Sequence, residues 1–395
     1  MAETFRLLSH ADYTVGWICA LPLELGTARA MLDEEHQALP RQPNDENTYI
    51  LGRISAHNVV IACLPHGITG NNSAATVAND MARSFKSIRI RLMVGIGGGA
   101  PGEEADIRLG DVVVSKPTGI HGGVVQYDFG KTKQEGRFVR TGTLNKPPVE
   151  LLGAIARLEA EHMSRDPKFL EYISAATTKH PKLSSTLAYP GKESDELFNA
   201  TYDHKVSSAT CDDCDRRELV SRPARHNTIP RIHYGNVASG NEVMRHGRTR
   251  DRWARGENVI CFEMEAAGLM DRFPCLIIRG ICDYADSHKN KRWQNYAAAT
   301  AAAYAKELLY TILPGDTQVI SSPTELSECC SSKLSSISTL NHGNYTIRTV
   351  YYNSQECLSR RNGYVILYPT RAGIPAAFPN FLMLRIILLV LACFP

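Results

Sequence analysis

Short apolar runs alternate with longer helical patterns along most of the chain, from Tyr13 to Leu313. A continuous apolar run such as NVVIACL is typical of a strand buried on both faces of a sheet. Strands that alternate with helices indicate an α/β domain around a parallel or mixed sheet. The predicted strands are TVGWICAL, YILGRI, NVVIACLP, IRLMVGIG, DVVVS, RIHYGNVAS and PCLIIRGIC, and the predicted helices are LELGTARAMLDEEH, SAATVANDMARSF, PPVELLGAIARLEAEH and RWQNYAAATAAAYAKELLYTIL.

Two segments interrupt this alternation. Residues 164–230 carry few apolar runs and several Pro, Ser, Asp and Arg residues, which indicates an excursion from the domain. Residues 314–395 are first Ser-rich and then apolar, with no sustained period of 2 or 3.6, so we expect a poorly structured, disordered tail. Its apolar end, 381–395, is interrupted by Arg385 and is shorter than the roughly 20 residues of a bilayer span, which disfavours a membrane anchor.

The composition narrows the classes of partner. The 44 Lys and Arg residues nearly balance 41 Asp and Glu residues, and a net charge of +3 argues against a nucleic-acid-binding protein. The eleven cysteines are an odd number, and several lie in apolar runs where a free thiol behaves as a small hydrophobic group. Because the N-terminus does not resemble a secretory signal, we expect a reducing compartment and a cytoplasmic location.

A glycine cluster, GIGGGAPGEE from Gly95, follows the predicted strand IRLMV. It formally fits the G-x-G-x-x-[GA] pattern of dinucleotide-binding folds, but Pro101 and Gly102 follow where that pattern requires a helix, and DIRLGDVVVS behind it is a further predicted strand. A glycine turn that brings the backbone close to a ligand at the end of a strand is favoured, and a purely structural turn is the alternative.

Acidic residues follow three of the predicted strands. Glu24 lies in ICALPLE, Glu263 and Glu265 lie in CFEMEAAG, and Asp283 ends LIIRGICD. Ligand sites of open α/β sheets lie beyond the carboxyl ends of strands, so these acids could surround one pocket and perform acid/base chemistry on a polar, uncharged substrate. The structural alternative is that each one caps the helix that follows it.

Two further clusters have a structural and a functional interpretation. Cys211 and Cys214 form a lone C-x-x-C near His204 and His226, but the second pair of a zinc site is absent, so we expect two free thiols and no metal. An arginine run over 245–255 is interpreted as a solvated helix face, with contact to the phosphates of a nucleotide as the alternative.

Taken together and in order, these motifs are similar to those of the nucleoside phosphorylase/nucleosidase superfamily. The strings that carry the resemblance are ALPLE, the glycine cluster, ASGN at 238–241, CFEMEAAG and RGICDYADSHK. The resemblance covers about residues 12–313 and is strongest to the purine/uridine-phosphorylase-like domain at the N-terminus of fungal immune-receptor-type proteins. It implies a three-layer domain with a central mixed β-sheet flanked by helices, a homo-oligomer and no cofactor.

The resemblance also implies roles for individual residues. Asp283 would protonate the purine so that the base leaves neutral, which is typically worth about 10²–10⁴-fold in rate. Glu265, beside Met264, would hold both ribose hydroxyls, and Glu24 would activate the attacking water. Further substrate-binding residues implied by the resemblance are Glu263, Gly97, Gly98, Ser239, Asn241 and Val243.

The nucleophile remains open between water and phosphate. Phosphorylases of this superfamily hold phosphate with an N-terminal G-D-P-x-R turn and with an Arg and a Thr near the glycine strand. This chain has ALPLE at the first place and aligns Met93 and Ile96 with the second, which favours hydrolysis of a purine nucleoside or nucleotide. Phosphorolysis is the first alternative. A non-catalytic nucleoside-sensing module of a fungal signalling protein is the second.

Overall fold

The computed structural model of the protein describes residues 8–102, 105–205 and 210–313, together with three strands further along the chain. The chain forms two compact units, Met1–Gln318 and Val319–Pro395. In the first unit, the helices are α1 Pro22–Ala30, α2 Asn71–Ser84, α3 Val149–His162, α4 Phe169–Lys179, α5 Gly247–Glu257 and α6 Gln294–Thr311. The strands of this unit are β1 Val15–Cys19, β2 Glu34–Glu35, β3 Tyr49–Ile54, β4 His57–Cys63, β5 Ile90–Gly99, β6 Val112–Ser115, β7 Val124–Gln126, β8 Gly130–Thr132, β9 Phe138–Arg140, β10 Ile232–Ser239, β11 Val259–Glu263 and β12 Leu276–Asp283.

Ten of these strands form one mixed sheet. Its order is β11-β10-β6-β12-β5-β1-β4-β3-β2, and β7 pairs with β10. The centre is parallel, because β5 pairs in parallel with both β1 and β12, whereas β6 runs antiparallel to β12. The end of β11 also pairs antiparallel with the end of β5, so the sheet curls back on itself there. Strand β5 therefore contacts three partner strands, and its last residues lie at the centre of the curl.

Helices cover both faces of the sheet, which confirms the predicted three-layer arrangement with a central mixed sheet. Alternate residues of β1 enter different cores, since Trp17 belongs to the cluster that includes α6, and Ile18 belongs to the cluster that includes α2. Strand β5 alternates in the same way, with Met93 fully buried on the α2 side. This alternation is the period of 2 expected of a strand between two layers.

Helix α6 is buried around nearly its whole circumference. Its Ala-rich sequence permits a very close approach to β12, because a Cβ on Gly280 would lie 1.8 Å from the carbonyl oxygen of Ala297. Only a residue without a side chain can occupy that position while the helix stays in place. The contact fixes β12, and with it Asp283 at the end of the strand, against a rigid helix.

The structure corrects the prediction at three places within residues 13–313. Gly97 and Gly98 lie inside β5 rather than in a turn, and 106–111 precede β6 as a turn rather than extend it. The excursion at 164–230 includes α4, which buries Phe169, Ile173 and Ala176. These residues follow the i, i+4, i+7 spacing of one helix face, a pattern that the polar composition of the excursion concealed.

Three antiparallel strands, β13 Leu334–His342, β14 Tyr345–Tyr352 and β15 Val365–Pro369, are described in the segment where we expected no regular structure. The remainder of 314–395, with the apolar end at 381–395, lies outside the described residues. Among the helices that are described, none combines the length and apolarity needed to cross a membrane.

Candidate active site

One pocket of about 230 Å³ opens where the ends of β1, β5, β11 and β12 meet. It lies beyond the carboxyl ends of parallel strands, the place where open α/β sheets bind ligands. Most residues singled out from the sequence line this one cavity, although they come from segments far apart in the chain. Those that line it are Glu24, Gly97, Gly98, Val243, Glu263, Met264, Glu265 and Asp283.

Ser239 and Asn241 are placed differently, since neither lines the pocket. The Ser239 hydroxyl accepts a hydrogen bond from the backbone N–H of Ala267 at 2.9 Å. The Asn241 side-chain oxygen accepts one from the backbone N–H of Asn71, the first residue of α2, at 3.1 Å. Both side chains hold together the segments that form the wall of the pocket.

Glu24 is buried, and its carboxylate is held by three backbone N–H groups. Oε2 accepts hydrogen bonds from Ala20 at 2.7 Å and Leu21 at 3.0 Å, and Oε1 accepts one from Ile96 at 2.8 Å. Burial raises the pKa of Glu24, while Arg279 and the backbone donors oppose that increase. The result is a fixed carboxylate that binds a proton more readily than an exposed one.

Arg279 is a pocket residue that the sequence analysis did not predict. Its guanidinium is completely buried, donates through Nη2 to Glu263 and, at 3.3 Å, to Glu265, and donates through Nη1 to the carbonyl of Ile96 at 3.2 Å. Burial lowers the pKa of Arg279, but Glu263, Glu265 and Glu24 outweigh it and the pKa is raised. A signal was available, since an arginine inside the apolar strand LIIRGICD requires a buried partner.

Glu263 and Glu265 have different environments. The Glu263 carboxylate accepts hydrogen bonds from the backbone N–H groups of Glu265 and Ala266, both at 3.0 Å, and so caps the short 3-10 turn that follows. Glu265 accepts one backbone hydrogen bond, from Gly70 at 3.3 Å. Burial raises the pKa of Glu265 to about 7; Glu263 and Glu24 add to this effect, and Arg279 opposes it. Glu265 is thus the acid with capacity left for a ligand.

Asp283 ends β12 at another side of the same pocket. Oδ1 accepts a hydrogen bond from the backbone N–H of Ala285 at 2.9 Å, and Oδ2 lies 3.0 Å from the Lys289 ammonium and 3.0 Å from the Cys282 sulfur. Burial lowers the pKa of Lys289, but the nearby Asp283 and Cys282 side chains raise it by more, so its pKa is above that of an ordinary lysine. Lys289 lines the pocket too, and it was not predicted.

The glycines of β5 make room for these side chains. A Cβ on Gly95 would lie 2.5 Å from Glu24 Oε1 and 2.6 Å from Arg279 Nη1, and a Cβ on Gly98 would lie 2.8 Å from Asp283 Oδ1. Strand β5 therefore passes directly between the two acidic groups. The need for this close approach explains why the glycines lie in a strand rather than in a turn.

The two remaining clusters lie outside the pocket lining. In the arginine run, Arg250 is buried on α5 and pairs with Asp251 at 2.7 Å and Asp286 at 3.3 Å, so it has a structural role. In the excursion, ligand atoms of His204, Cys211 and Cys214 all lie within 4.8 Å of one another. Within the described residues this is the only group of three or more side chains with suitable donors for a metal ion.

The chain is similar to several known proteins. A model of the phosphorylase superfamily matches residues 14–313. A nucleotide-binding leucine-rich repeat (NLR)-like protein of Hyaloscypha variabilis is 49% identical over 308 residues, which are 78% of this chain; the chain spans 30% of that protein's length. A 5'-methylthioadenosine/S-adenosylhomocysteine nucleosidase of Mycobacterium bovis is 25% identical over 75% of this chain and 95% of its own. The crystal structure of the 5'-methylthioadenosine/S-adenosyl homocysteine nucleosidase of Helicobacter pylori aligns with 76% of this chain over 100% of the nucleosidase chain, with 13% identity and a TM-score of 0.49.

Proposed function

This chain belongs to the phosphorylase superfamily, and we propose that its pocket hydrolyses the N-glycosidic bond of a purine nucleoside or nucleotide. One observation carries the proposal. Glu24, which precedes both of the other acids by more than two hundred residues of sequence, lines the same pocket as Glu265 and Asp283. A carboxylate for water, one for ribose and an acid for the leaving base are the groups that such a hydrolysis requires.

The proposed reaction breaks the bond between the anomeric carbon and the purine nitrogen. Asp283 delivers a proton to the purine ring, so the bonding electrons leave with a neutral base. Glu24 takes a proton from water as the water oxygen bonds to the anomeric carbon, and the products are free base and free sugar. Neutralising the leaving group and activating water each lower the barrier, and one such proton transfer typically raises the rate by about 10²–10⁴-fold.

The environments of Glu24 and Glu265 suit the roles proposed for them. Burial raises the pKa of Glu24, which makes its carboxylate a stronger base toward water than an exposed glutamate would be. Glu265 carries the ribose because its carboxylate accepts a single backbone hydrogen bond, and a carboxylate with two oxygens can bind two adjacent hydroxyls.

Electrostatics supports water over phosphate as the nucleophile. The cations Arg279 and Lys289 that line the pocket already pair with Glu263, Glu265 and Asp283. A phosphate dianion close to Glu24 and Glu265 would face two buried carboxylates, and among the described residues that line the pocket it would find no cation free of a partner. The aligned Met93 lies in the apolar core, and Ile96 reaches the pocket with an apolar side chain.

A nucleoside-sensing module is the second candidate function. The observation that favours it is the 49% identity to an NLR-like protein, of which this chain spans 30%. Such a module would use Glu265 and the same cavity to bind a nucleoside, but it would not require Asp283 as an acid. Phosphorylated nucleosides remain within the proposed substrate class, since Arg245 lies close enough to Lys289 to lower its pKa.

The experiment is a measurement of purine-base release from adenosine, inosine, methylthioadenosine, AMP and ATP, with and without inorganic phosphate. Release that is independent of phosphate and yields free sugar supports the proposal, and it should fall by about 10²-fold or more in Asp283→Asn and in Glu24→Gln. Exposed Glu159→Gln on α3 is the matched control and should retain activity. Release that requires phosphate, with sugar 1-phosphate as product, would identify a phosphorylase instead. Binding of a nucleoside with no release would favour the sensing module.

A further inference from the structure

We propose that His204, Cys211 and Cys214 bind a structural Zn²⁺ that attaches the excursion to the loop after Asp283. The ligand atoms of the three side chains already lie within 4.8 Å of one another, and both cysteines are free. The backbone N–H of Cys214 donates to the carbonyl of Cys211 at 3.1 Å, so the C-x-x-C segment forms a tight turn. This turn is the arrangement by which two thiolates chelate one ion.

The donor set favours zinc over harder cations. Two sulfurs and one imidazole suit Zn²⁺, whereas Mg²⁺ and Ca²⁺ require oxygen ligands. Zn–S bonds of about 2.3 Å place two sulfurs on one tetrahedral ion roughly 3.8 Å apart, so the present group must contract by about 1 Å or less. Both cysteines are free, so binding would release one thiol proton to solvent for each Zn–S bond that forms.

His288 supplies the fourth ligand. It is 7% exposed, and within the described residues neither of its ring nitrogens has a hydrogen-bond partner. Its ring centre lies 5.4 Å from that of His204, and two imidazoles on one zinc, with Zn–N bonds of about 2.0 Å, have ring centres roughly 5 Å apart. The Cys211 sulfur lies 3.8 Å from the His288 carbonyl, so the backbone of His288 is beside the group. Its ring is not among the side chains whose ligand atoms lie within 4.8 Å of one another and would move toward the ion on binding.

Asp286 would orient the His288 ring. Its Oδ1 lies 3.7 Å from His288 Nδ1, beyond hydrogen-bond distance but on the side opposite to Nε2 of the ring. Ligating histidines usually direct their second nitrogen at a carboxylate, which fixes the tautomer and the orientation of the ring. We therefore assign Nε2 to the metal and Nδ1–H to Asp286.

The ion would connect the excursion to the loop that carries the pocket residue Lys289. The backbone N–H of His204 donates to the Ser287 hydroxyl at 2.9 Å, and the Phe198 ring stacks on His288 at 4.1 Å. The same loop carries Lys289, which pairs with Asp283. A metal at this place holds the loop from the side away from the substrate, so its role is structural, and its binding can be measured without any assay of turnover.

The first test is the zinc content of the purified full chain by elemental mass spectrometry. One zinc per chain is expected, with loss of the metal in Cys211→Ser/Cys214→Ser and in His204→Ala. Cys63→Ser removes a half-buried thiol outside the group and His226→Ala removes an exposed imidazole of the same excursion, so both controls should keep the metal. A wild-type chain that holds less than about one zinc in ten molecules after incubation with Zn²⁺ would overturn the proposal.

A second measurement uses only the wild-type chain, so it does not depend on whether variants fold. Iodoacetamide alkylation is followed at each cysteine by peptide mass spectrometry, with Zn²⁺ and after EDTA. Alkylation of Cys211 and Cys214 should be slower by about tenfold or more with zinc, because a metal-bound thiolate is protected, while Cys63 should react at one rate in both conditions. Equal rates at all three would refute the site. Retention of a full zinc in His288→Ala would overturn the assignment of the fourth ligand.

Discussion

Glu265→Gln removes one buried carboxylate from the pocket and keeps the size of the side chain, so it isolates the energetic consequence of that charge. Burial raises the pKa of Glu265 from an ordinary 4.5 to about 7. Between these two values the folded chain holds a proton that the unfolded chain has released, so the free energy of unfolding falls as the pH rises through this window. At about 1.4 kcal/mol per pH unit, Glu265 lowers the stability of the wild type by about 2 to 3 kcal/mol between pH 5 and pH 8.

The assay is urea unfolding of wild type and Glu265→Gln at both pH values. At pH 5 the two should have nearly equal stability, because a protonated carboxyl and an amide are both neutral. At pH 8 the variant should be the more stable by about 2 to 3 kcal/mol, although it has lost the carboxylate that we propose binds ribose. Exposed Glu159→Gln is the control and should show no such pH-dependent difference. A gap between wild type and Glu265→Gln that is the same at both pH values would refute the reasoning from burial.

Three further variants test the surroundings of the acids. Arg279→Met should destabilise the fold by about 3–5 kcal/mol at neutral pH in urea unfolding, because it leaves buried carboxylates without their cation; a loss below about 1 kcal/mol would contradict this. Gly98→Ala should reduce kcat at least about tenfold, because its Cβ would lie 2.8 Å from Asp283 Oδ1. For Gly26→Ala, on an open helix surface, the free energy of unfolding should be unchanged or higher by up to about 1 kcal/mol. Lys289→Met should reduce kcat at least about tenfold, because it removes the ammonium that holds the Asp283 carboxylate at 3.0 Å; an unchanged kcat would exclude that positioning role.

The sequence predicted the acidic groups of the pocket because their position follows from topology. Glu24 and Asp283 each lie at or just past the end of a strand, and parallel strands bring such ends to one edge of the sheet. The mixed sheet between helix layers follows from the same alternation of apolar runs and helical patterns. The superfamily resemblance, read from five short motifs, is confirmed by a family match over residues 14–313.

The partners of those acids could not be predicted from the sequence in the same way. Arg279 and Lys289 are neighbours of the carboxylates because β12 pairs with β5 and the loop after β12 turns back toward the pocket. The local sequence pattern specifies neither of these arrangements. The sequence predicts a turn at the glycines of β5, because a glycine cluster indicates that side chains are excluded there. It does not show that the excluding groups are the side chains packed against a strand. His204 lies close to Cys211 and Cys214 although none of the three belongs to a helix or strand, so no periodicity marks the contact.

The contact between Gly280 and α6 helps to distinguish residues that the fold requires from residues that the proposed reaction requires. Gly280 and Asp283 lie three positions apart on β12, but the glycine is required by the packing of a helix and the aspartate by the proposed reaction. A related chain that replaced the glycine would have to move a helix, whereas one that replaced only the aspartate could keep the whole architecture. We therefore expect that relatives which keep the glycine but lack the aspartate use the domain as a receptor. Comparing these two positions would distinguish enzymes from sensors.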